Sequence, residues 1–303
     1  MDHNDAVAVS EDAGVAALAT LQRLGLVVHP TRTIDSPLRA LREWTDSHGV
    51  EVVQVSAPCR QQKVAERGDP AQCDLIVSIG GDGTALAALR TGAQARKPVL
   101  GVAYGSLGVL TSVDPSGVTE AVERFSRGDW VPHRLPALRL RGEDGAEAFA
   151  LNDVVIVRAG EGQVRLTAHV DGVLFARFAG DGCIVSTPAG SSAYSLSAGG
   201  PLVMPELWAF VLAALPTHGG FIPPLVIGAD SELRLDTRSG FGGWRMELDG
   251  QISEAPGGSL SVRMRTDAAT LVAFKDQEPL LSGLRRRRIV VDSPRIVAED
   301  SRE

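Results

Sequence analysis

The sequence predicts an α/β plus β architecture: an N-terminal doubly wound parallel-sheet domain followed by a β-sandwich-like C-terminal domain. Three observations predict it. Up to about residue 130, short apolar runs alternate with helix-forming stretches, the pattern of a parallel sheet covered on both faces. From about Leu135 the chain changes to short strands separated by turn signals, with clear alternation in Leu260-Ser261-Val262-Arg263-Met264-Arg265. The 303 residues, 44% hydrophobic but only 5% aromatic, suffice for two mostly aliphatic cores.

Taken in order, residues 1–24 are an Ala-rich N-terminal extension with scattered acids, expected to hold a short helix over 15–24 or to be partly disordered. Residues 25–132 are expected to be an α/β domain. Leu26-Val27-Val28 reads as its first strand. A helix is expected over 37–48, with Pro37 at its start, Leu38, Leu41 and Trp44 at helical spacing, and Gly49 at its end. Residues 50–55 read as a second strand, 56–72 as a polar loop and 98–103 as a further strand. Tyr104-Gly105-Ser106-Leu107-Gly108 is a second glycine turn, and 115–128 reads as a helix with apolar Val118, Ala121, Val122 and Phe125. Residues 133–280 are expected to be a β-rich domain, with strands over 137–141, 153–157, 164–170, 183–186, 225–227, 232–236, 260–265 and 270–274. One helical interruption is expected over about 192–214, broken by Gly199-Gly200-Pro201. Residues 281–303 are a polar tail. Its Arg285-Arg286-Arg287-Arg288 reads as a solvated basic end, with a subunit or nucleotide contact as the alternative.

The organising stretch is Leu75-Ile76-Val77-Ser78-Ile79-Gly80-Gly81-Asp82-Gly83-Thr84. Residues 75–79 are almost wholly apolar, as a strand buried on both faces requires. Residues 85–90 are strongly helix-forming. Strand, glycine turn and helix together aim backbone N–H groups and a helix N-terminus at a phosphate. The glycines let the backbone turn tightly and approach a ligand. Asp82 stands at the carboxyl end of the strand, where open α/β sheets hold ligands. Phosphates repel a carboxylate unless it binds a metal or takes a proton from a nucleophile. Asp82 therefore reads as a catalytic base or a metal-associated carboxylate. The plainer reading is a βα loop in which Asp82 caps the helix. The pattern GxxxxGK[ST] is absent, and none of the three lysines, Lys63, Lys97 and Lys275, lies in the turn. Phosphate charge must then be met by N–H groups, a metal ion or arginine.

Composition bounds the partners. A net charge of −7 argues against general nucleic-acid affinity. Cys59, Cys73 and Cys183 lack metal-type spacing and read as reduced thiols of a cytoplasmic protein. The acidic start Met1-Asp2-His3-Asn4-Asp5 does not read as a signal peptide, and no stretch reads as a membrane span.

The segment from Ala179 to Pro201 holds small residues, hydroxyls and glycines with almost no charge. Close backbone approach and short donors suit a ribose, an amide or a flat base. A loop of hydroxyl-supported turns and helix caps is the plainer reading. Taken with the first glycine turn it becomes more specific. Gly80-Gly81-Asp82-Gly83-Thr84, Leu151-Asn152-Asp153-Val154-Val155, Gly180-Asp181-Gly182, Ser186-Thr187-Pro188-Ala189-Gly190-Ser191-Ser192-Ala193-Tyr194, Ser197-Ala198-Gly199-Gly200-Pro201 and Leu248-Asp249-Gly250-Gln251 together resemble the ATP-dependent NAD kinase family. Order and approximate spacing match from about residue 25 to 275. The first turn alone is shared with diacylglycerol, sphingosine and phosphofructo-kinases; the Ser186 to Tyr194 segment is the more specific part.

The resemblance implies a two-domain fold, with residues 25–132 the nucleotide-binding domain and 133–280 the substrate-binding domain, and transfer of the ATP γ-phosphoryl group to the 2′-hydroxyl of the adenosine ribose of NAD. It implies Mg²⁺ or another divalent cation with ATP, and a homodimer or homotetramer with no nucleic-acid or membrane partner. Asp82 would be the general base. Gly80, Gly81, Gly83 and Thr84 would cradle phosphates, and Asn152 and Asp153, matching the family's Asn-Glu pair, would bind ribose or adenine groups. Asp181, Ala193, Tyr194 and Ser197 would line the nicotinamide–ribose side, with Ser192 in place of the usual Thr. Thr187 and His218 complete the substrate-binding set; His218 precedes Pro224 as the family's histidine usually precedes its proline. Some positions depart from the family. Ala103 and Val109 stand where Asn and Phe are usual, Ala189 where Thr is usual, and Pro223 where Arg is common. The phosphoryl-transfer residues are intact while acceptor contacts are thinned. Two further readings therefore stay open: a kinase of this fold acting on NADH, another nucleotide or a polyol, and a non-catalytic nucleotide-binding sensor. The metal ligands are not legible in the sequence.

Overall fold

A computed structural model describes residues 21–104, 107–240, 242–254, 257–278 and 280–300. Most of the expected N-terminal helix, and Gly105 and Ser106 of the second glycine turn, lie outside these residues. The N-terminal half runs β1 (Arg23–Val28), α1 (Asp35–His48), β2 (Glu51–Val55), β3 (Arg67–Gly68), β4 (Leu75–Gly80), α2 (Asp82–Ala95), β5 (Val99–Ala103) and α3 (Val118–Ser126). Arg23 and Leu24 thus belong to a strand, not to a helix ending at 24. The strands pair in parallel in the order β3-β2-β1-β4-β5.

Alternate residues of β1 and β4 serve two cores. Leu24, Leu26, Leu75 and Val77 pack with Leu41 and Trp44 of α1 and Val118 and Val122 of α3. Val27 and Ile76 pack with Ala85 and Leu89 of α2. Helices therefore cover both faces, and the sheet is doubly wound. This is why residues 75–79 show no polar face. α1 ends at Gly49 with φ 66°, the left-handed cap that glycine adopts without strain.

The second half runs β6 (Val131–Gly142), β7 (Glu147–Ala150), β8 (Asp153–Arg158), β9 (Val164–Val170), β10 (Val173–Gly180), β11 (Gly182–Ser186), α4 (Tyr194–Ser197), β12 (Ala209–Ala214), β13 (Leu225–Gly228), β14 (Leu233–Ser239), β15 (Trp244–Leu248), β16 (Gln251–Ser253), β17 (Ser259–Ala273), α5 (Leu280–Arg286) and α6 (Pro294–Asp300). One antiparallel sheet has the order β13-β12-β11-β8-β15-β16. It packs on β6, β9, β14 and β17. Leu138, Leu166, Leu235 and Val262 meet Ile156, Val185, Phe210 and Met246 in one core, which is the expected sandwich.

Two expectations are corrected. Residues 192–214 are not a broken helix: Tyr194–Ser197 is a single helical turn and Ala209–Ala214 is β12. Phe210, Val211, Leu212 and Ala213 are all buried, and an apolar run without alternation reads alike as strand or helix. The strands expected over 260–265 and 270–274 are one strand, β17, whose register against β6 shifts between Arg265 and Ala269.

β6 and β17 join the halves. Past the register shift, Leu271 of β17 pairs in parallel with Val99 of β5. The parallel strands and β9, β10, β14 thereby belong to one 11-stranded sheet among the described residues. Residue 133 lies within β6. After β17 the chain turns back on the N-terminal half. The Gln277 amide donates to Ser112 Oγ at 2.5 Å, and α5 buries Leu284 to 2% exposure. Among the described residues no helix is long and apolar enough to cross a membrane.

Candidate active site

β4 ends at Gly80 and α2 begins at Asp82. Asp82 does not cap its helix, because Gly81 holds the cap position. Its carboxylate faces the turn that follows β5. Ser112 and Val113 N–H groups donate to Gly101 O at 3.1 and 3.2 Å, folding that turn back along the strand. Val109 N–H then donates to Asp82 Oδ2 at 2.9 Å and Leu110 N–H to Oδ1 at 2.9 Å. The Thr111 hydroxyl donates to Oδ1 at 3.2 Å, and Arg287 Nη1 reaches Oδ2 at 3.5 Å. A Cβ on Gly108 would stand 1.9 Å from Asp82 Oδ1, so only glycine lets the turn come this close. Val109 in place of the family's Phe leaves this contact intact, since the backbone N–H makes it.

Two concavities meet at the Asp82 turn. Gly81, Gly83 and Thr84 line the first, with His29, Arg32 and Arg60. A Cβ on Gly80 would stand 2.4 Å from Thr84 Oγ1, so Gly80 is bare for internal packing. A Cβ on Gly81 or Gly83 meets nothing within 4 Å. Those two glycines leave open space beside the start of α2. The second concavity is a deeper crevice between the halves. Gly108, Val109, Pro188, Ala189, Ser192 and Arg287 are among its walls. It joins the turn that holds Asp82 to the distant segment after β11.

Backbone contact sets that segment against the loop before β8. Thr187 N–H donates to Asn152 O at 2.9 Å and its hydroxyl to Leu151 O at 2.6 Å. Thr187 is fully buried, so its hydroxyl serves this junction. Gly190 lies so close to Asn152 that a Cβ would stand 2.1 Å from Asn152 O. Asn152 Oδ1 is buried with no partner among the described residues. Asp153 is 6% exposed, and its carboxyl is pushed up to about 7 by burial first and by the charges of Asp249 and Glu247 next. Asp249, in the turn after β15, accepts from the N–H groups of Leu151, Asn152 and Asp153.

The remaining predicted residues fall in two other places. Ala193, Tyr194 and Ser197 are exposed at α4. Asp181 pairs with Arg158 at 2.7 Å and its N–H donates to Pro216 O, while His218 N–H donates to Ala179 O. Asp181 and His218 thus share one corner and do not line the crevice. The sequence reading assigned no role to Arg32 or Arg60, gave Asp249 only as part of a motif, and offered a subunit or nucleotide contact for Arg287 only as the alternative. Arg287 lies in the basic run whose first reading was a solvated end, and its side chain is only 17% exposed.

Among the described residues no three His, Cys, Asp or Glu side chains converge as metal ligands. Four donors already fill the Asp82 carboxylate. The residues present therefore do not form a cage for a resident ion.

Sequence comparison places this geometry. A model of the ATP-NAD kinase N-terminal domain matches residues 18–130, and one of the ATP-NAD kinase C-terminal domain matches residues 151–274. The chain belongs to the ATP-NAD kinase family. Members similar to it include the NAD kinase of Heliobacterium modesticaldum, 36% identical over 250 residues, 79% of this chain and 88% of that one. The NAD kinase of Halobacterium salinarum is 40% identical over 212 residues, 67% of this chain and 73% of its own. Among solved structures, an NAD kinase from Archaeoglobus fulgidus in complex with ATP shares the fold with a TM-score of 0.71 at 24% identity, covering 89% of this chain and 100% of that chain. A yeast NADH kinase complexed with NADH does so with a TM-score of 0.74 at 23% identity, covering 91% and 89%.

Proposed function

We propose that this protein is an ATP-dependent NAD kinase with Asp82 as its general base. The observation that carries this reading is the position of Asp82. It stands between a glycine-lined depression with two arginines and a crevice walled by the Ala189 to Ser192 segment. ATP takes the first, its phosphates against Gly81, Gly83 and Thr84 with Arg32 and Arg60 near. NAD takes the second. Residues 25–132 then supply the donor side, and 133–280 most of the acceptor side. Asn152 Oδ1, a buried acceptor lacking a donor, suits the ribose or adenine of the acceptor. Asp153 joins it. Ser192 borders the crevice, and Ala193, Tyr194 and Ser197 at α4 extend toward the nicotinamide end.

The Asp82 carboxylate takes the proton of the adenosine 2′-hydroxyl. That oxygen bonds to the γ-phosphorus as the bond from this phosphorus to the β,γ-bridging oxygen breaks. ADP leaves, NADP remains, and the proton passes from Asp82 to solvent. Two backbone N–H groups hold the carboxylate in line, and the transfer needs positioning and charge neutralisation more than covalent help. Mg²⁺ enters as the magnesium complex of ATP, held by phosphates and water, and offsets the triphosphate charge.

The reading extends to a cytoplasmic homodimer or homotetramer. Three free thiols support the compartment. Size-exclusion chromatography checks the assembly. The functional test is NADP formation from ATP, Mg²⁺ and NAD by wild type and Asp82→Asn, with NADH assayed in parallel. Turnover of NAD by wild type and a loss of about 10²- to 10⁴-fold in the variant are expected. Equal turnover by both would exclude Asp82 as the base.

A further inference from the structure

A carboxylate offers about four acceptor positions, two on each oxygen. At Asp82 all four are taken. Oδ1 accepts from Leu110 N–H and the Thr111 hydroxyl; Oδ2 accepts from Val109 N–H and Arg287. A base needs one position open for the proton that it removes. The N–H groups belong to a turn fixed on β5, and Thr111 Oγ1 is itself fixed by accepting from Gly108 N–H at 2.9 Å. Arg287, at 3.5 Å, is the longest contact and comes from a long, rotatable side chain.

The arginines of α5, just before Arg287, are engaged elsewhere. Arg285 pairs with Asp292 at 2.6 Å and Arg286 with Glu278 at 2.8 Å. Arg287 donates from Nε to Gly283 O at 3.2 Å. Its Nη2 is buried and lacks a partner among the described residues. Leu284, one turn earlier, anchors the segment in the crevice wall. A part-buried guanidinium with an idle, buried donor, loosely set on a carboxylate, can take a further anion. The chain has no lysine in its phosphate turn to supply that charge.

We propose that Arg287 is a phosphate-binding residue that covers Asp82 in the free protein and moves to the γ-phosphate when ATP binds. The proposal rests on Asp82 being the general base. Its move opens Oδ2 to the acceptor hydroxyl and gives Nη2 the acceptor that it lacks. A planar guanidinium takes two phosphoryl oxygens at once, where charge is spread during transfer. Donor binding thereby unlocks the base, and an acceptor bound alone meets a carboxylate that is still paired.

The test is steady-state NADP formation by wild type, Arg287→Ala, Arg287→Lys and Asp82→Asn, with and without sub-denaturing guanidinium chloride. Thermal unfolding of each variant accompanies it. We expect Arg287→Ala, at the junction of the two concavities, to lose about a hundredfold in kcat and to raise KM for ATP more than KM for NAD. Arg287→Lys keeps the charge without the fork and falls between. Guanidinium restores Arg287→Ala saturably and leaves Asp82→Asn inactive, a response that a purely structural arginine does not give. If Arg287→Ala fails to fold, Arg287→Lys carries the kinetic comparison. Wild-type kcat and KM for ATP in the arginine variants, beside an inactive Asp82→Asn, would overturn the role of Arg287 alone. So would an equal loss in both arginine variants with no rescue. A fully active Asp82→Asn would overturn this proposal and the base assignment together.

Discussion

Arg90 Nη1 lies 2.6 Å from Asp249 Oδ2, an ion pair whose side chains are 17% and 1% exposed. Arg90 is on α2, the helix that begins at Asp82. Asp249 also accepts from Leu151 N–H at 3.0 Å, Asn152 N–H at 2.6 Å and Asp153 N–H at 3.2 Å. One carboxylate therefore ties the helix of the proposed base to the loop that carries Asn152 and Asp153. Asp249→Ala leaves the part-buried Arg90 guanidinium with only Phe149 O, at 3.4 Å, and three N–H groups without their acceptor. Urea unfolding is expected to show a loss of about 3–5 kcal/mol. A loss below about 1 kcal/mol, typical of an exposed pair, would mean that the strut is not structural.

Gly80 and Gly83 separate packing from binding. Alanine at 80 drives Cβ onto Thr84, and a loss of about 1–3 kcal/mol is expected from overpacking. Alanine at 83 meets open space in the first turn of α2 and improves helix propensity, with a gain of up to about 1 kcal/mol. The same methyl narrows the proposed phosphate depression, so ATP binding should weaken in the more stable protein. Calorimetric ATP titration beside thermal melts checks both. Undiminished ATP affinity in Gly83→Ala would show that phosphates do not use this space.

Asp153 predicts a pH dependence of stability. An ordinary Asp carboxyl titrates near 3.8; in the folded protein this one titrates at about 7, chiefly because it is buried. Between those values the unfolded chain gives up the proton while the folded chain keeps it. The contribution of Asp153 is fully present below pH 4, is lost as pH rises toward 7, and then levels off. Asp153→Asn removes that dependence. Its stability relative to wild type should rise from pH 4.5 to pH 7.5, measured by melting temperature. Parallel curves across that window would contradict a buried, proton-retaining Asp153.

Local pattern carries much of the fold. A strand buried on both faces has no polar alternation, so residues 75–79 are recognisable from their own side chains. The glycines and Asp82 of the phosphate turn are consecutive, and the loop, strand and helix that frame them are contiguous. The order of the later motifs carries the family resemblance. Pattern fails where it has no period. Residues 209–214 are apolar throughout and fit strand and helix equally, and β17 is interrupted in sequence by its own irregularity.

The site is legible only in part. The donors that clamp Asp82 are the N–H groups of Val109 and Leu110, and every residue except proline carries one, so no side chain announces them. Four consecutive arginines are equivalent on paper. The path of α5, with Leu284 buried beneath it, turns Arg287 inward and leaves Arg285 and Arg286 to surface carboxylates. Asp249 is visible as a motif, but its reach across to Arg90 is not. Strands, turns and helix starts follow from neighbours along the chain. The partners of a buried carboxylate depend on which backbone and which side chains the fold carries past it, and those come from far away in sequence.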